Sequence, residues 1–206
     1  MRVRGRALLA LTCVAAGACA RQPTGAIIPD GIRYVSRADW GANQPVLPMR
    51  RHVPVRLTIH HTGTPSAANR SIESKLVGLQ RFSQRQDSLA DGRLKPAWPD
   101  VPYHYYVSID GAVAEGREWQ YVGDSNTPYD PTGHLLVVVE GNFERESVSA
   151  PQMRTLEALI PALARHFRIA PAALASHRDY AQTLCPGREL YAELPRFRRL
   201  IEEATR

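Results

Sequence analysis

Apolar residues recur along this chain with two periods, and the switches between them mark out its elements. Arg56–His61 (RLTIHH) is β-branched and apolar, flanked by Pro54, Gly63 and Pro65, which predicts a buried strand ending at His60 or His61. Between Ser71 and Gln86, Ile72, Leu76, Leu79 and Phe82 fall at helical spacing, with Ser71 as the N-cap. Residues 87–100 read as a loop. Tyr103–Ile109 alternates as a strand, turns at Asp110-Gly111 and resumes over Ala112–Glu115, the signal of a hairpin. Leu135–Val139 is an unbroken apolar run, as in a central strand buried on both faces. Ser149–Phe167 predicts a helix capped by Ser149, with Met153, Leu156, Leu159, Ile160 and Leu163 as its stripe and a kink at Pro161. Residues 188–204 predict a last amphipathic helix, kinked at Pro195. Strands interleaved with helices predict an α/β fold, a central mixed sheet flanked by helices.

Composition agrees. The 206 residues suit one domain plus a processed leader, and 44% apolar with 22% charged residues supports a packed core and argues against wholesale disorder. The leader is legible: Arg2, Arg4 and Arg6 precede the apolar run Ala7–Leu11, and small residues lead up to Cys19. That run is too short to span a bilayer. The small residues before Cys19 resemble a bacterial lipobox, whose Cys is lipidated and becomes residue one, although Ala16 stands at the usual Leu position. Ordinary cleavage at Ala18 or Ala20 is the alternative. The expected layout is a signal peptide over 1–19, a Pro/Gly-rich tether over 20–32 and one domain over 33–206, exported to the periplasm or cell envelope. Membrane contact is then through the lipid anchor alone. Formal net charge is +6, and loss of the leader arginines halves the basic excess. The remainder favours an anionic surface. No Lys/Arg run is interleaved with aromatics, so nucleic acid is not the expected partner.

Of three cysteines, Cys13 and Cys19 belong to the leader, and Cys185 is left alone in the body with no internal disulfide open to it. It follows His177 by eight residues, in Ser176-His177-Arg178-Asp179-Tyr180 and Leu184-Cys185-Pro186-Gly187. Imidazole and thiolate both suit zinc, which takes four ligands, and the strand-end pair His60-His61 offers a third. Three protein ligands leave one position open, the mark of a catalytic site. A hydrolase with a Cys nucleophile and a His base uses the same residue types, so the types alone leave both readings open.

Six ordered motifs resemble the zinc amidase superfamily that includes peptidoglycan recognition proteins and phage-type N-acetylmuramoyl-L-alanine amidases. They are Val35–Ala42 (VSRADWGA), Leu57–Thr62 (LTIHHT), Asp100–Val107 (DVPYHYYV), Glu115-Gly116-Arg117 with Trp119, Gly141-Asn142-Phe143, and His177-Arg178-Asp179 with Cys185-Pro186-Gly187. The resemblance spans roughly residues 33–195. It implies a zinc ion held by His60, His177 and Cys185 at one end of a substrate groove, with His60 rather than His61 as ligand. It also implies peptidoglycan or its muropeptides as partner, a monomer, and hydrolysis of the amide between N-acetylmuramic acid and L-alanine. Tyr103 matches a tyrosine near the metal that donates to the developing oxyanion, and Thr183 a position where relatives carry Lys or Thr. Some relatives place a catalytic Glu where Val138 stands here. Glu140, two residues on, is then either a substitute base or a structural carboxylate. Residues 123–134 depart from the family pattern. His134 in that stretch reads as a surface residue, and Arg117, Trp119, Asn126 and Arg178 as candidate groove contacts. A non-catalytic peptidoglycan-binding module is the alternative function. Binding-only relatives usually lose a ligand, and this chain keeps all three.

Overall fold

The longest apolar strands lie side by side in the middle of the molecule. The computed structural model describes residues 27–89 and 92–206. In chain order its elements are β1 (Tyr34–Val35), β2 (Arg56–His61), α1 (Ile72–Ser83), β3 (Asp87–Ser88), β4 (Leu94–Lys95), β5 (Tyr105–Val107), β6 (Val113–Glu115), β7 (His134–Val139), α2 (Ala150–Phe167), β8 (Leu174–Ser176), α3 (Arg188–Ala192) and α4 (Leu194–Ala204). Short 3-10 turns, Pro171–Ala173 and His177–Asp179, flank β8. Six strands form a mixed sheet in the order β1-β6-β5-β7-β2-β8. Only the β5–β6 hairpin is antiparallel; β7, β2 and β8 run parallel. The expected mixed sheet flanked by helices is present.

Alternation gives the two sheet faces different tasks. Leu57 and Ile59 of β2 and Leu135, Val137 and Val139 of β7 join a core with Leu156, Leu159, Ile160 and Leu163 of α2 and Phe197 and Ile201 of α4. The opposite face sets Tyr106, Ala114 and Val138 against Ile72 and Leu76 of α1 and against Val35 and Trp40. α2 begins with the expected cap: Ser149 Oγ accepts from Gln152 N, and the Gln152 side chain returns to Ser149 N, a capping box. It runs unbroken through Pro161. Ile27 is buried in the first core and Ile28 and Ile32 pack against it, so the end of the expected tether lies on the domain. Cys19 and the leader lie outside the described residues.

Two expectations need correction. The final helix is two helices, broken at Glu193, with Pro195 in the first turn of α4. Proline lacks the N–H that would reach back one turn, so it starts a helix more readily than it bends one. Residues 87–100 also carry a small antiparallel pair, β3 with β4. The ammonium of buried Lys95 organises it, donating to the carbonyls of Ser83 (2.9 Å), Arg85 (2.9 Å) and Pro96 (2.7 Å) and lying 4.4 Å from the Trp98 ring centre.

Candidate metal centre

Successive residues of a strand face opposite ways, so β2 directs His60 and His61 to different sides of the sheet. His61 packs beside Phe143 and its Nδ1 accepts from Phe143 N at 3.3 Å. His60, 2% exposed, shares the other side with Thr58. β8 runs parallel beside β2 with Ser176 opposite Ile59, so the turn that follows delivers His177 next to His60. The two imidazole centres are 4.6 Å apart. Asp179 ties this turn by accepting from Ser176 N (2.7 Å) and Ser176 Oγ (2.8 Å). Cys185 returns on the next loop, fixed by Arg178 N donating to its carbonyl (3.0 Å) and His61 N donating to its sulfur (3.3 Å). One donor atom from each of His60, His177 and Cys185 lies within 4.8 Å of the others. Cys185 Sγ lies 3.7 Å from His60 Nδ1. Tetrahedral zinc, with Zn–S about 2.3 Å and Zn–N about 2.0–2.1 Å, requires an S···N edge of about 3.6 Å. The three residues therefore fit the metal.

Burial sets the charge of the site. It holds His60 well below the ordinary imidazole pKa, helped by neighbouring His177, and brings His177 down to about 4. Both rings are neutral at pH 7, the form that ligates. Burial also pushes the Cys185 thiol up to about 12, against the lowering effect of the His61 N–H. Such a thiol carries almost no thiolate unless a cation is beside it, which argues against a free Cys nucleophile.

The Tyr103 ring stands 5.2 Å from that of His60. Burial, then the neighbouring Cys185, raises its pKa, so it remains a neutral O–H donor. Thr183 Oγ1 accepts from Cys185 N at 3.2 Å and so shapes the turn that presents the sulfur. Glu140 is buried and fully engaged: it pairs with Lys75 Nζ at 2.9 Å and accepts from Ser108 Oγ, Ile109 N and Ala67 N. Its carboxylate braces loops, as a structural acid does. His134 is a correction: it is 4% exposed, opens β7 and bonds Thr58 Oγ1 through Nδ1 at 2.9 Å. Arg117 is another, being 1% exposed and spent on the carbonyls of Val101, Asp100 and Val122 and on Asp124, not on a groove. Trp119 meets Phe167 edge-on, Arg178 lies over Tyr191, and exposed Asn126 accepts from Arg93 through its carbonyl.

Sequence reasoning missed three residues in the divergent stretch. Thr127 Oγ1 is 2.6 Å and Ser125 Oγ 3.4 Å from His177 Nε2, and the Tyr129 hydroxyl is 3.5 Å from His60 Nε2. Their only signal was a run of hydroxyls, Ser125-x-Thr127-x-Tyr129, where the family pattern lapses.

Known proteins resemble this chain in sequence and in fold. The model of the N-acetylmuramoyl-L-alanine amidase family matches residues 50–188. Peptidoglycan recognition protein 1 of Bos indicus is 29% identical over 173 residues, 81% of this chain and 86% of that protein. N-acetylmuramoyl-L-alanine amidase of Mus musculus is 30% identical over 166 residues, 75% of this chain and 29% of the mouse protein. Among solved structures, a mutant of Drosophila PGRP-LB in complex with tracheal cytotoxin superposes with a TM-score of 0.61 at 27% identity, over 79% of this chain and 92% of that one.

Proposed function

The chain belongs to the N-acetylmuramoyl-L-alanine amidase family, and from that premise we propose that it is a zinc-dependent hydrolase of the amide joining N-acetylmuramic acid to L-alanine in peptidoglycan or its fragments. The observation that carries the reading is the convergence of His60, His177 and Cys185 within one ligand sphere. Zinc bound there would acidify a water and polarise the scissile carbonyl. The rest falls to the protein's own groups. His60 and His177 are kept neutral by burial and are ready to ligate, and Cys185 contributes the one anionic ligand once its proton is lost. Tyr103, held protonated beside His60, donates a hydrogen bond to the oxygen on which negative charge develops. Thr183 holds the Cys185 turn and lends its hydroxyl to that side of the site.

The test is digestion of purified peptidoglycan followed by mass spectrometry. Stem peptides beginning at alanine, and glycan stripped of them, are expected. Chelation should abolish release and zinc restore it, and Cys185→Ser should lower the rate by roughly a hundredfold or more, as befits loss of the metal's chemistry. A Cys185→Ser variant as fast as the parent would refute the site. Several relatives bear the name recognition protein, which supports a second reading as a peptidoglycan-binding module. That reading predicts retention on peptidoglycan with no peptide released. Either role suits an exported, monomeric protein tethered by lipid at Cys19, which we include in the proposal.

A further inference from the structure

An imidazole has two nitrogens, and both candidate ligand rings have one of them engaged by the same loop. His60 turns Nδ1 toward Cys185 Sγ and Nε2 toward the Tyr129 hydroxyl. His177 sets Nε2 2.6 Å from Thr127 Oγ1, while Ser125 Oγ lies 2.8 Å from that oxygen and accepts from Thr127 N at 3.1 Å. A neutral imidazole carries a single N–H. If Nε2 gives its hydrogen to a hydroxyl, Nδ1 keeps the lone pair.

We propose that residues 125–129 form the outer shell of the metal centre, with Thr127 orienting His177 and Tyr129 orienting His60 so that both present Nδ1 to the ion. This rests on the metal-centre reading above. The hydrogen bonds run in one direction: His177 Nε2–H to Thr127 Oγ1, and Thr127 O–H on to Ser125 Oγ. The loop is fixed well enough to do this. The Tyr129 ring stacks on Tyr180, three residues beyond His177, at 5.8 Å and 16°. Asp130 pairs with Arg50 at 2.8 Å and accepts from Thr132 Oγ1 at 2.7 Å. Tyr129 is partly buried, and its hydroxyl oxygen, 3.5 Å from His60 Nε2, can accept from that nitrogen. Outer partners of this kind typically govern metal affinity by about ten- to a hundredfold, because they fix both the tautomer and the direction of the ligand. Thr127 and Tyr129 are thus positioning residues, acting on the ion through the two histidines.

The readout is zinc affinity, measured by competition against a chromophoric chelator with the purified chain. Thr127→Val removes the acceptor at constant shape and should weaken zinc about ten- to a hundredfold. Tyr129→Phe should weaken it less, given its longer contact. Thr127→Ser keeps the hydroxyl and should restore parental affinity, which a purely steric role would not require. Cobalt-loaded Thr127→Val should show shifted visible absorption bands, and its metal-free unfolding midpoint should match the parent. Affinities of both variants within about twofold of a zinc-binding parent overturn the loop's role and leave the metal centre standing. A parent that takes up no zinc overturns the metal centre and this inference with it.

Discussion

Both ring nitrogens of His104 are committed to backbone. Nδ1 accepts from Leu136 N at 2.8 Å, and Nε2 donates to the Tyr121 carbonyl at 2.9 Å. Only the neutral ring with its hydrogen on Nε2 satisfies both, and burial, the largest cause, brings its pKa to about 3. The unfolded chain binds that proton near pH 6.5, the folded chain only near 3. The stability His104 contributes is therefore intact above pH 6.5 and erodes as pH falls toward 3. By linkage His104 alone should cost about 2 kcal/mol at pH 5 relative to pH 7.5. His60, His61, His134 and His177, whose pKa values burial also lowers, lose stability in the same direction, so the total fall read from urea unfolding midpoints should exceed that amount. Nitrogen chemical shifts should show the Nε2–H tautomer without titration above pH 4; a midpoint near 6.5 would contradict the buried pairing. At this scale legibility was uneven. Alternation separated His60 from His61, since a strand turns one residue each way. Thr127 and Tyr129 were invisible because hydroxyls serving a ligand need no fixed spacing from it. His134 misled because it adjoins an apolar run, and nothing local says whether the strand begins before or after it.

Elements were legible wherever their periodicity was long. The stripe of α2 and its Ser149 cap could be read from sequence, as could the Asp110-Gly111 hairpin, whose second residue has φ 84°. β3 and β4 could not, because two-residue strands have no period and Lys95 holds them through the carbonyls of Ser83 and Arg85 as well as that of its neighbour Pro96. The turn after Cys185 carries a prediction of its own. Gly187 has φ 86°, and an added Cβ would collide with the Phe143 backbone. Gly187→Ala should lower stability by roughly 2 kcal/mol or more, combining left-handed strain with overpacking against atoms that cannot rotate away. Denaturant unfolding measures it, and an unshifted midpoint would show that the turn adapts.

At the scale of the molecule, local patterns implied a mixed sheet but not its strand order, because β2 lies between β7 and β8, which follow it by more than seventy residues. The chain before residue 27 has its own test. Cys19→Ala should move the protein from the detergent-extracted envelope fraction to the soluble fraction, where lipid chains on that cysteine provide the anchor. Equal partition of both forms would favour ordinary cleavage. The sheet has unequal covers. One face is roofed by α2 and α4, whereas on the other α1 packs over β1, β6 and β5, and the part of β2 bearing His60 is closed by loops. A floor of hydrogen-bonded strands beneath a ceiling of loops divides the labour of adaptation. β2 holds His60, and the turns fixed by Asp179 and by the Arg178–Cys185 hydrogen bond hold His177 and Cys185, so loops that carry neither a donor nor the hydroxyls of residues 125–129 can lengthen, shorten or change their side chains to admit a different guest. Diversity within this family should therefore accumulate overhead, in loops that can be rebuilt without moving that foundation.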